Sequence, residues 1–190
     1  QHQIGQFQQA VDFFRSHFSS DILFHLSNSS GILNYPDAAY SAVRAGIALY
    51  GYGNHPQENR QLQPVTTLLS PIIQIREIDA GESVGYDRAF VANKPCKIAT
   101  LAIGYADGIS RIYGHGKAIV KVNGKSAPTC GNICMDTMMV DVSGINCQEG
   151  EMVKIFGENH PATDFDAYQQ SIEYELITRI SFRVPRIIKK

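Results

Sequence analysis

Residues 42–51 read AVRAGIALYG. The stretch opens on a helix-compatible run, passes a lone Arg44 and becomes the apolar run 47–50, with Gly46 and Gly51 on either side. A short apolar run bracketed by glycines predicts a buried strand. A cation and a bare glycine amide at the mouth of such a strand suit an anionic or aromatic ligand. Helix and strand alternate before this stretch, and strand and turn dominate after it.

On the N-terminal side, Phe7, Val11, Phe14 and Phe18 recur at helical spacing among Gln8, Gln9 and Asp12. They predict an amphipathic helix of about four turns, ended by Ser19, Ser20 and Asp21. Residues 22–26 (ILFHL) form a continuous apolar run, the pattern of a strand covered on both faces. A polar, glycine-terminated loop follows at 27–31, placed where α/β barrels hold their ligands. Composition alone reads that loop equally as a plain turn. Residues 36–40 predict a short helical connection. Residues 1–51 thus read helix, strand, short helix, strand, which is too little for a closed barrel or a doubly wound sheet. The opening of that domain is expected to lie outside this sequence, which also lacks an initiator Met.

On the other side, the polar loop 52–63 predicts a boundary between a domain at 1–61 and another at 62–190. Strand-like alternation runs over 65–78, with Pro71 marking an edge or bend. Further strands are expected at 83–86, 97–103, 138–142 and 152–156. Asn123-Gly124 between 118–122 and 125–129 predicts a hairpin. Only 164–170 and 174–180 look helical, the first with Thr163 as N-cap.

The 190 residues are 44% hydrophobic and 18% charged, so a packed core is expected. A net charge of −1 gives no broad electrostatic footprint for nucleic acid or an acidic membrane. No apolar run would span a bilayer, and the N-terminus is not a signal peptide. A cytoplasmic protein is expected. Of the four cysteines, Cys130 and Cys134 have metal-like spacing, yet no second pair stands near them. They read as reduced, buried or partly buried thiols, with no metal site.

Six segments in one order resemble alanine racemase, a pyridoxal-phosphate enzyme: HLSNSSG (25–31), VRAGIALYG (43–51), AGESVGYDRAF (80–90), IGYADGISR (103–111), GNICMD (131–136) and IEYELITRISFRVPR (172–186). The resemblance implies an α/β barrel fragment, the last strands of a TIM-like barrel, followed by a mainly β C-terminal domain. It also implies a parent enzyme that interconverts L- and D-alanine and supplies D-alanine for peptidoglycan; the alternatives are a racemase of another amino acid and a non-catalytic β-rich dimerisation module. That parent would be a homodimer whose active sites are shared between subunits. The family's cofactor lysine lies in a motif like VKANAYGHG. Here YGHG (113–116) precedes VKVN (120–123), so the order is reversed and Lys121 reads as an exposed strand residue. This chain alone is therefore expected to be inactive.

By the same resemblance, Asn28 and Ser29 belong to the phosphate loop, Gly46 and Ile47 offer backbone N–H groups to the phosphate, and the Tyr174 hydroxyl reaches it. Arg44 faces the pyridine nitrogen; a guanidinium keeps its proton, so the ring nitrogen stays unprotonated and draws less charge into the ring. Racemisation needs an acid/base on each face of Cα, and Tyr86 matches the tyrosine that serves one face from the partner subunit. The backbone N–H of Met135 meets the substrate carboxylate, and Tyr105 lines the substrate entrance, with Asp107, Arg111 and Asp136 organising the loops. Taken by residue type alone, Arg44 reads as a surface ion-pair residue, Tyr86 and Tyr174 as packing tyrosines and Met135 as core filler. Two positions depart from the family. Asp87 stands where glycine is usual, and Asn132 where arginine is common.

Overall fold

The computed structural model describes residues 1–18, 21–168 and 172–188. The chain divides into two compact units, Gln1–Val65 and Thr66–Lys190.

The first unit opens with α1 (His2–His17). Val11 is fully buried on it, and the Phe7 ring meets Tyr40 edge-on at 5.0 Å. The predicted apolar stripe is only partly used, because Phe14 and Phe18 are exposed and stack on each other at 5.2 Å. Of the expected terminators, Ser19 and Ser20 lie outside the described residues.

Residues 22–26 are not a strand. The Phe24 carbonyl instead accepts from the Ser41 and Ala42 amides at 3.0 and 3.2 Å. An apolar run becomes a strand only when another strand supplies a ladder, and among the described residues of this unit none does. Two helical pieces follow, α2 (Ser29–Asn34) and a 3₁₀ turn at Pro36–Ala38.

Ile47–Tyr50 is a 3₁₀ helix rather than the predicted strand. Gly46 turns the chain into it, and Gly51 closes it in the left-handed region at φ 85°. A side chain at Gly51 would also run into the Gln63 carbonyl, so the site requires glycine twice over. Four apolar residues between glycines fit either state, and the turn geometry decides. The expected polar loop at 52–63 contains one helical turn, α3 (Pro56–Asn59).

The second unit is a closed antiparallel barrel. Its elements in chain order are β1 (Leu68–Ile78), β2 (Ser83–Val84), β3 (Phe90–Val91), β4 (Cys96–Leu101), β5 (Ile119–Val122), β6 (Lys125–Cys130), β7 (Met138–Asp141) and β8 (Met152–Phe156). The barrel order is β1-β4-β7-β6-β5-β8, and β2 and β3 form a separate small hairpin. Closure depends on β1, which pairs with β8 from Leu68 to Pro71 and with β4 from Ile72 to Ile78. Pro71 sits at that hand-over, paired with Met152, so its missing N–H falls where the strand changes partner. The β5–β6 turn has positive φ at both Asn123 (48°) and Gly124 (77°), the type I′ geometry that Asn-Gly favours.

Ile72, Leu101, Val120, Met138, Val140, Val153 and Ile155 are buried in this unit. Each such side chain contributes roughly 1.5–3 kcal/mol by leaving water. A satellite cluster of Ile78, Ala92, Ile98, Cys130 and Met139 packs with Val84, Phe90, Cys96 and Cys134, and so anchors the β2–β3 hairpin. The last elements are α4 (Ala162–Phe165) and α5 (Glu173–Arg179). The first is shorter than expected and is capped by Pro161 rather than Thr163, with Asp164 in its first turn. Residues 169–170 of that predicted helix lie outside the described set.

Candidate active site

The site residues fall into two sets, one in each unit. In the first unit Asn28 caps α2, its Oδ1 accepting from the Gly31 amide at 3.0 Å. That cap places Ser29 as the first helical residue, buried. The Ser29 hydroxyl oxygen accepts from the Gly46 N–H at 3.0 Å and the Ala48 N–H at 3.3 Å, so the Gly46 amide, expected to face the phosphate, is spent on Ser29 instead. A hydroxyl has two acceptor positions and one proton. Both acceptor positions are used, and among the described residues no acceptor takes the proton. The Ile47 N–H also lacks an acceptor among them. A Cβ built on Gly46 would meet only Ser29 Oγ within 4 Å, at 3.9 Å, so the backbone there faces open space. Two free donors beside a bare backbone suit the oxygens of a phosphate.

Arg44 lies beside this cradle, its amide donating to the Ser27 carbonyl at 2.9 Å. Its Nη1 stands 2.8 Å from His25 Nδ1. A guanidinium cannot accept, so Nδ1 accepts and the histidine proton sits on Nε2. His25 therefore holds Arg44 in place, a role absent from the sequence reading although His25 opens the quoted HLSNSSG motif. An open groove of about 740 Å³ runs past Asn28 and Arg44, with Phe7, Leu26 and Gly31 among its lining. Behind α2, Glu58 is only 2% exposed. It accepts from Asn34 Nδ2 and the Asn54 N–H, both at 2.6 Å, and from Ser30 Oγ at 3.1 Å. Burial pulls its carboxyl up, but those hydrogen bonds outweigh burial and the net shift is down.

In the second unit, Tyr86 sits on a turn between β2 and β3 and is 72% exposed. Its hydroxyl has no partner among the described residues. Asp87 and Arg88 follow at φ 61° and 50°. The glycine-to-aspartate departure thus falls at a left-handed position, which glycine takes freely and aspartate tolerates better than most residues. Asn132 is not simply a lost cation: its Nδ2 donates to the Tyr86 carbonyl at 3.3 Å.

Tyr105 and Met135 are brought together by backbone. The Tyr105 and Ala106 amides donate to the Cys134 and Met135 carbonyls at 2.9 and 3.0 Å. Gly104 permits the approach, since a Cβ there would come within 2.5 Å of the Met135 oxygen and closer still to that of Cys134. Asp107 organises this turn, as expected. Its Oδ2 accepts from the Gly104 N–H at 2.8 Å, and its Oδ1 accepts from Arg183 Nε at 2.6 Å. Arg183 also reaches Asp136 at 2.5 Å, so one cation, missed in the sequence reading, ties both loops to the chain's last segment. Hydrogen bonds from Arg183 to Asp107 and Asp136 push its pKa up. Arg111 lies on a 3₁₀ turn with Tyr113, whose hydroxyl donates to Asp166 at 2.7 Å. Tyr174 is half-buried on α5. Lys121 lies on β5, half-buried rather than exposed, with its ammonium on Ser126 Oγ at 2.8 Å.

Residues 1–54 match the family model for the alanine racemase N-terminal domain, and 65–188 match that for the C-terminal domain. An alanine racemase from Clostridium novyi is 37% identical over 198 residues, covering 100% of this chain and 51% of the relative. One from Alteromonas mediterranea is 41% identical over 167 residues, covering 86% of this chain and 46% of the relative. The crystal structure of alanine racemase from Streptomyces lavendulae superimposes with a TM-score of 0.89 at 30% identity, over 97% of this chain and 50% of that one. That from Bartonella henselae, solved with covalently bound pyridoxal phosphate, gives 0.83 at 33% identity, over 98% and 51%. The chain spans about half the length of the relatives it matches.

Proposed function

The chain belongs to the alanine racemase family, and from that premise we propose that it is part of a pyridoxal-phosphate enzyme that interconverts L- and D-alanine. The observation that carries this reading is the pairing, in one unit, of two unspent donors at Ser29 and Ile47 with a guanidinium fixed by His25. The first suits the cofactor's phosphate, the second its ring nitrogen. When bound, the cofactor acidifies the amino acid's Cα–H. Arg44 serves only as a donor there, and its histidine partner keeps it aimed. Ser29 and Ile47 hold the phosphate, with Asn28 fixing the helix that presents Ser29. The Gly46 N–H fixes the Ser29 hydroxyl, and Tyr174 adds its own hydroxyl to the phosphate.

Tyr86 moves the Cα proton on one face, and the family's lysine, which this chain does not carry in its motif, moves it on the other. The Met135 N–H takes the substrate carboxylate, and Tyr105 narrows the entrance. In this reading residues 1–61 are the last part of a TIM-like barrel and 62–190 the β domain. The enzyme is a cytoplasmic homodimer in which the β domain completes the partner's site, and its D-alanine supplies peptidoglycan.

The test uses the full polypeptide that carries this chain, titrated with pyridoxal phosphate and assayed for D-alanine formation. Stoichiometric cofactor binding, weakened at least about tenfold in Ser29→Ala, is expected, since one lost hydrogen bond to an anion is worth about 1.5–3 kcal/mol. A polypeptide that binds no cofactor sinks the proposal. One that binds it yet turns over only another amino acid sinks the assignment of alanine.

A further inference from the structure

We propose that Asn132 is a positioning residue for Tyr86: its carboxamide, oriented by His115, holds the turn that presents the phenol. The inference rests on the reading of Tyr86 as the acid/base of one face.

The turn does not hold itself. Gly85, Asp87 and Arg88 all have positive φ, at 78°, 61° and 50°. Two of these are not glycine, and such conformations persist only where the surroundings impose them. Within this chain the phenol does not impose them, because its hydroxyl has no partner among the described residues. Within this chain the aim of Tyr86 is set through its backbone.

Two donors meet the Tyr86 carbonyl. The Ala89 N–H closes the turn at 3.2 Å, and Asn132 Nδ2 arrives from outside it at 3.3 Å. Together they use both lone pairs of that oxygen. Asn132 is delivered there by Gly131, which at φ 61° lies against the hairpin. A Cβ on Gly131 would stand 3.4 Å from both the Val84 carbonyl oxygen and the Phe90 amide nitrogen.

The orientation of the carboxamide is also determined. With Nδ2 spent on the carbonyl, Oδ1 faces His115 Nε2 at 3.0 Å and accepts its hydrogen. His115 is itself fixed, its amide donating to the Gly131 carbonyl at 2.9 Å. The side chains of His115 and Asn132 thus form a bracket from the 114–116 loop across the end of β6 to the Tyr86 turn. A carboxamide suits this bracket because it donates at one end and accepts at the other. The arginine common at this position in the family would have only donors.

The experiment compares Asn132→Ala, Asn132→Asp and Tyr86→Phe in the full, cofactor-loaded polypeptide. Its readouts are kcat and KM for each alanine enantiomer, the unfolding midpoint, and amide hydrogen exchange across residues 85–89. Asn132→Ala is expected to lower kcat about 10–100-fold, the scale of a small misplacement of a reacting group. KM should stay within about twofold, the unfolding midpoint should hold, and exchange at the Ala89 amide should accelerate. Asn132→Asp keeps the acceptor for His115 but loses the donor to Tyr86, so it should match Asn132→Ala. A kcat within about twofold of the parent in Asn132→Ala, while Tyr86→Phe is crippled, overturns this proposal alone. A kcat loss that merely tracks a lower unfolding midpoint overturns it as well. Full activity in Tyr86→Phe removes the premise and the positioning role with it.

Discussion

Replacing Glu58 by glutamine changes one oxygen for an NH₂ group at nearly constant shape, and the structure says what that costs. The carboxylate accepts at Oε1 from Asn34, and at Oε2 from the Asn54 N–H and Ser30. A glutamine in either flip turns its NH₂ toward at least one of these donors. Hydrogen bonds to a charged acceptor are worth about 1.5–3 kcal/mol each. Because either flip keeps part of the hydrogen bonding, we take the lower part of that range, about 1.5–2 kcal/mol. With a urea slope of about 1 kcal/mol/M for a unit of this size, the unfolding midpoint of the first unit should fall by roughly 1.5–2 M.

The sign with pH follows from the direction of the shift. Hydrogen bonding outweighs burial and holds the folded carboxyl below 4.5. Its contribution is therefore full above that value and is lost as pH falls through the lower folded value. The gap between the parent and Glu58→Gln should be widest near neutrality and should close under acid. Urea titrations at a series of pH values, read by hydrogen exchange in residues 29–34 and 53–58, give the answer. Equal midpoints at neutral pH, or a gap that widens in acid, would refute the reasoning.

Three further outcomes follow from single positions. Asp87→Gly relieves a left-handed aspartate at φ 61° and should raise the melting point of the second unit, by about 0.5–1 kcal/mol of stability after glycine's entropy cost; a lower melting point would contradict it. Gly104→Ala drives a Cβ into two backbone carbonyls and should cost about 1–3 kcal/mol by thermal melting, with an altered KM because Tyr105 and Met135 shift together. Cys130 is buried, and burial pushes its thiol up to about 12, so iodoacetamide at pH 8 should leave it unmodified in the folded protein and label it on unfolding; prompt labelling of the native chain would count against the burial.

Where a segment carries its own instructions, sequence and structure agree. Asn123-Gly124 dictates a turn that few other dipeptides adopt, and the β5–β6 hairpin stands where expected. Residues 152–156 became β8 as read. Segments whose state depends on a neighbour were misjudged. The runs 22–26 and 47–50 are apolar enough for strands, but a strand needs a ladder partner, and the glycines at 46 and 51 instead wind the second into a 3₁₀ turn. Site residues divide the same way. Arg44, Ser29 and Tyr86 stand out in the sequence because they sit in distinctive motifs. The contact of His25 is with an arginine nineteen residues away, 2.8 Å distant only after folding. Glu58 looked like one charge in a polar loop, and its burial is visible only once Asn34 and Asn54 converge on it. Asn132 is, in the sequence, only an asparagine where arginine is common, and its two hydrogen bonds exist only in the fold.

The most direct test of the account is the racemisation of alanine by the full, cofactor-loaded polypeptide beside its Tyr86→Phe variant, followed in both directions with solvent deuterium. An acid/base group contributes about 10²–10⁴-fold. The account predicts a loss of that size, with deuterium entry at Cα surviving on the lysine's face alone. A Tyr86→Phe enzyme that racemises as fast as the parent would contradict it.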